Sequence, residues 1–113
     1  MSLEETGRRK MAVEQKYDLY HFIEFISGDK VKKDVFKGRY FNVVVICLDS
    51  GHEIPPHDEP YDVFFHVISG RGVFTAGTKQ WDAGPGSMVF APAGVRGIKC
   101  ISRLTVLGIQ EPH

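Results

Sequence analysis

The side chains best equipped for chemistry lie in one stretch, HEIPPHDEPYDVFFH, which holds His52, His57, Glu59, Asp62 and His66. In extended chain His57 and Glu59 project to the same side, about 6–7 Å apart along the backbone, so the two could share one ion. An imidazole there would serve as a metal ligand or as a general base near neutral pH. The structural alternative is a histidine packed after Pro55 and Pro56 and hydrogen-bonded to Glu59 or to a backbone carbonyl. Asp62 and His66 also share a face, but about 13 Å of strand separates them, which calls for separate partners. His52 reads as a loop residue, and His21 and His113 have no spacing that argues for a site.

The elements that must position these residues read as strands. Twelve glycines and six prolines punctuate the chain, and the segments between them are rich in Val, Ile, Phe and Thr, which suit a pleated, half-buried surface. Strands are predicted over 31–37, 41–49, 62–69, 72–77, 79–82, 87–91, 97–101 and 104–110. Both faces of 62–69 are substantially apolar, so it is expected to be a central strand covered on each side. Ser69-Gly70-Arg71-Gly72 is read as a hairpin turn. Leu19, Phe22, Ile23 and Ile26 recur at helical spacing, predicting a short helix over 17–26 with Asp18 as its cap. Residues 1–15 carry too little apolar content to order themselves and are expected to be flexible, leaving 16–113 as a single domain.

Composition narrows the function classes. The chain has 113 residues, 14 basic and 14 acidic, with no net charge. There is no basic surplus to attract phosphate backbones, so nucleic acid is not an expected partner. No signal-peptide pattern and no apolar run of about 18 residues occurs, so the protein is expected to be cytoplasmic and not membrane-bound. Cys47 and Cys100 sit in apolar segments without CxxC spacing and are expected to act as small hydrophobes.

Over residues 38–110 the sequence resembles the cupin family. That family's first motif runs glycine, five residues, histidine, one residue, histidine, three or four residues, glutamate, six residues, glycine; Gly51, His57 and Gly70 match it. Its second runs glycine, five residues, proline, one residue, glycine, two residues, histidine; Gly86, Pro92 and Gly94 match it. The resemblance implies a jelly-roll β-barrel, a homodimer, and a metal held in the lumen by three histidines and a glutamate. Of those ligands only His57 is kept: Glu59 stands at the second histidine position, Val63 at the glutamate position and Gly97 at the last histidine position. Catalytic and structural sites for such metals generally need three or more protein ligands.

The expected ligand-binding residues are therefore His57, Glu59, Val63, Phe65 and Lys99. Val63, Phe65, Val67 and Met88 or Phe90 would form an apolar pocket with His57 and Glu59 as its polar groups near the mouth. Lys99, two residues beyond Gly97, is placed on the lumen side by strand alternation, where an ammonium near Glu59 would stand in for a missing cation. The favoured function is a small-molecule binding or sensing module with no cofactor. One alternative is a metal-dependent enzyme of isomerase or oxygenase type, holding Zn, Fe, Mn or Ni on His57, Glu59 and further ligands. Another is a dimerisation module that pairs through the edge strand 31–37.

Overall fold

The computed structural model describes residues 13–113. Most of the segment read as flexible, residues 1–12, lies outside the described residues; Val13, Glu14 and Gln15 belong to no element. Asp18 caps as expected, accepting the Tyr20 N–H, but the helix is a single 3₁₀ turn, Leu19–Phe22. Seven strands follow: β1 (Lys30–Lys37), β2 (Asn42–Leu48), β3 (Glu53–Glu59), β4 (Val63–Ala76), β5 (Lys79–Ala83), β6 (Met88–Ala91) and β7 (Gly94–Gln110). The fold is the expected all-β jelly-roll barrel. No helix among the described residues is long and apolar enough to cross a membrane.

All the pairings are antiparallel, and they run β1-β2-β7-β4-β5, with β3 added to β7 and β6 to β4. The long strands β4 and β7 are shared by both layers. Their halves 63–69 and 104–110 pair with each other, with β2 and with β6; their other halves, 72–76 and 94–100, pair with each other, with β5 and with β3. The inner faces meet in one core of Val44, Ile46, Leu48, Val63, Phe65, Val67, Phe74, Val89, Ile98, Cys100, Leu104 and Val106. Phe65 and Phe74, one from each half of β4, pack at 5.4 Å between ring centroids.

The expected hairpin at 69–72 is instead the bend at which β4 passes from one layer to the other. Register shifts fall between Val67 and Gly72, and Gly70 adopts φ +81° with Arg103 O 2.0 Å from where a Cβ would stand. A glycine in that conformation beside a serine carries the composition of a turn, but here it makes a bulge in a continuous strand. The reversal comes later, at Gly77-Thr78, between the paired residues Ala76 and Lys79. Likewise 97–101 and 104–110 belong to one strand.

β3 was not among the expected strands; it contains Pro55 and Pro56, which cannot donate to a ladder. It exists as an edge strand that pairs with β7 alone, and its register shifts between Ile54 and His57, where the prolines lie. The expectation that 62–69 is covered on both faces is half right. Val63, Phe65 and Val67 are buried, whereas Phe64 on the other face is 44% exposed.

Candidate functional site

A cavity of about 100 Å³ lies between the layers where β1 and β2 face β3, and Ile46, Ile54, Phe65 and Ile98 are among its apolar walls. Its polar lining comes from Lys30 and Lys32 of β1, His57 and Glu59 of β3, Tyr61, and Arg96 and Gln110 of β7. The rest of the lumen is closed by packed side chains, as small barrels commonly are. Inward projection follows from strand alternation. Lys32 is opposite Ile46, and Arg96, Ile98 and Cys100 share the buried side of β7.

His57 and Glu59 meet as their spacing predicts: Nε2 lies 2.7 Å from Glu59 Oε2. The other nitrogen, Nδ1, lies 2.9 Å from Pro55 O. A carbonyl only accepts, so Nδ1 carries a proton, and the Nε2 contact needs a second one, on the imidazole or on the carboxyl. Both ring nitrogens are therefore engaged within β3. The pair is half exposed, with side-chain accessibilities of 45% and 28%.

These residues do not fit the family's metal. Among the described residues no group of three or more His, Cys, Asp or Glu comes together. The last histidine position is closed sterically as well, because a Cβ on Gly97 would stand 2.8 Å from Ile54 O and from Pro56 N. β3 crosses so near to β7 that only glycine leaves room.

Arg96, which the sequence reading passed over, is the charged group that does occupy the lumen. It is 5% exposed. Nη1 donates to Tyr61 O, and the guanidinium carbon lies 4.5 Å from the centroid of the Tyr61 ring, a cation–π contact. The other face-to-face partner of Tyr61 is His113, stacked at 3.7 Å and 8° between planes. His113 Nδ1 bonds Glu111 O, while Glu111 Oε1 accepts from Asp62 N, so residues 111–113 brace the Tyr61 segment.

Of the other expected site residues, Phe65 lines the cavity, whereas Val63 is packed in the core. Lys99 is exposed on the outside of β7, paired with Glu53, and does not reach the lumen. Taking Gly97 as the inward position set the alternation one residue out of phase; the apolar pair Ile98 and Cys100 gives the phase that places Arg96 inside. Met88 and Phe90 are also on the outer face, 62% and 53% exposed. His66 stands on that face opposite Met88 and Leu107, and Asp62 finds its own partner by accepting from Ala93 N at 2.8 Å. Cys47 and Cys100 are buried free thiols, as expected.

Comparison with known proteins agrees with this architecture. The cupin domain family model matches residues 44–96. The TT1209 protein of Thermus thermophilus superposes with a TM-score of 0.79 at 22% identity, over 88% of this chain and 98% of its own. An RmlC-like cupin protein from Desulfovibrio desulfuricans gives 0.78 at 22% identity over the same shares. KdgF from Halomonas sp. gives 0.71 at 19% identity, over 80% of this chain and 86% of its own. No curated protein sequence matches significantly. With the family's glycine and proline positions in place and its barrel formed around them, the chain has the cupin fold, and its residues 44–96 match the cupin domain family.

Proposed function

We propose that this cupin-fold protein is a small-molecule binding or sensing module whose ligand occupies the cavity between β1, β2 and β3. The observation that carries the reading is the lining itself: aliphatic and aromatic walls with a few polar groups converging on them, the composition of a small-molecule site. His57 and Glu59 form the polar rim, held by their mutual contact, and Phe65 forms part of the floor. The metal-dependent isomerase or oxygenase alternative has less support, since both nitrogens of His57 already face acceptors within β3. A fragment screen followed by amide NMR tests the proposal, with Ile54→Phe as the control that narrows the cavity from an edge strand. Shifts centred on Ile46, Ile98 and Phe65 that the control abolishes are expected. A screen with no shifts at these positions would sink the binding reading.

A homodimer is proposed alongside it, on a different observation. Phe64 of β4 stands directly opposite Phe90 of β6 and Ile109 of β7, and Met88 follows in the next row; all four are more than two-fifths exposed. With about 150–250 Å² per aromatic side chain, such a row leaves several hundred square ångströms of apolar surface, the scale at which an exposed patch marks an interface. β1, the edge suggested by the sequence, carries Lys30, Lys32, Lys33 and Lys37, a charge pattern that opposes edge pairing. Light scattering on the wild type and on Phe64→Lys distinguishes the two surfaces: the dimer is expected to be lost in the variant.

A further inference from the structure

We infer that the ligand of this cavity is a small organic carboxylate, bound through the free edge of the Arg96 guanidinium. The inference rests on the small-molecule reading and assigns it a chemical class. A guanidinium carries five N–H donors. In Arg96 one nitrogen donates to Tyr61 O and the plane lies against the Tyr61 ring, and the remaining N–H groups have no protein acceptor among the described residues. No described carboxylate lies within ion-pair distance of it, although the residue is 5% exposed. Buried charges are ordinarily paired; no buried side-chain nitrogen among the described residues is left without a partner, so the unbonded N–H groups of Arg96 open onto the cavity it lines, where an anion can meet them.

No other group in the cavity supplies that anion. Glu59 is the carboxylate in the lining, and its contact is to His57. Lys30 and Lys32 add two more cations at the β1 side of the opening, so the lining holds three basic side chains beyond the His57–Glu59 pair. A planar fork of N–H groups matches the two oxygens of a carboxylate. The walls decide against a bare inorganic anion. Ile46, Ile54, Phe65 and Ile98 offer nothing to a hydrated phosphate, but they would pack an aliphatic tail, and about 100 Å³ limits that tail to a few carbons. Gln110, 5% exposed and in the same lining, provides an amide for a further polar substituent.

The experiment titrates the wild-type protein with butanoate, butanamide and inorganic phosphate, following backbone amides and the Arg96 side-chain resonances by NMR. Butanoate is expected to shift Arg96, Ile98 and Tyr61 and to bind at least tenfold more tightly than butanamide or phosphate. Arg96→Lys, which keeps the charge but loses the fork, is expected to weaken butanoate at least tenfold. Arg96→Met should abolish the preference over butanamide if it folds; the comparison of ligands on the wild type does not depend on it. Equal binding of butanoate and butanamide, or tighter binding of phosphate, would overturn the carboxylate assignment and leave a small-molecule site standing. If none of the three shifts the cavity residues, the carboxylate assignment falls. The fragment screen then determines whether the small-molecule reading falls with it.

Discussion

Tyr61 holds Arg96 in two ways, accepting a hydrogen bond at its carbonyl and presenting its ring face 4.5 Å from the guanidinium carbon. The first contact survives any substitution at 61 and the second does not. Tyr61→Ala is therefore expected to cost about 3–5 kcal/mol, the range for emptying a buried aromatic site. Tyr61→Phe, which keeps the ring, should stay within about 0.5 kcal/mol of the wild type. Urea denaturation of both variants checks this, and a large loss in Tyr61→Phe would mean that the hydroxyl, not the ring, matters.

Gly97 stands where β3 presses on β7. Gly97→Ala is expected to destabilise the fold by about 1–3 kcal/mol through overpacking against the Ile54 carbonyl and Pro56. Gly97→His, which would restore the family's last metal-ligand position, should bind no more metal than the wild type when both are analysed for metal content after exposure and desalting.

The His57–Glu59 contact is short but half exposed. Exposed ion pairs contribute roughly 0–1 kcal/mol, so Glu59→Gln should change the urea midpoint little. Its effect is expected on ligand selectivity at the rim. A loss well above 1 kcal/mol would show that the pair is structural.

Burial pushes the Cys100 thiol above its ordinary value of 9.0, aided by the nearby Asp49 charge. Its neutral form is thus favoured in the folded state. The associated stability is fully present below pH 9.0 and is lost as pH rises beyond it, because the unfolded chain ionises first. Thermal melts between pH 8 and 10.5 should show an alkaline decline that is shallower in Cys100→Ala. An unchanged slope would remove Cys100 as its source.

Most of the strand content was legible from the β-branched segments themselves. The runs Val43-Val44-Val45-Ile46 and Leu104-Thr105-Val106-Leu107 have little choice but to pair. What misled was punctuation. Gly70 and Gly72 looked like a turn, yet their backbone freedom serves a bend within β4, and the strand around Pro55-Pro56 was not foreseen, although an edge strand tolerates residues that donate nothing on its open side. For the site, the His57–Glu59 contact followed from spacing alone. Arg96 did not, because a motif alignment put Gly97 inward, and only the packing of β3 over that glycine shows which side of β7 faces the lumen.

The sharing of β4 and β7 by both layers bears on how the barrel forms and comes apart. Residue 63 pairs with residue 110, and residue 76 with residue 96, along one ladder that carries on through the bulge at Gly70. Neither layer can peel away while the other persists, so unfolding is expected to be a single cooperative event, with fraying confined to edge strands such as β1, β3 and β5. The β4–β7 ladder can close from its inner pair, 76 with 96, outward, but its outer pairs and those of β2 with β7 join residues far apart in sequence, which slows folding. Topologies dominated by such distant pairings fold in milliseconds to seconds.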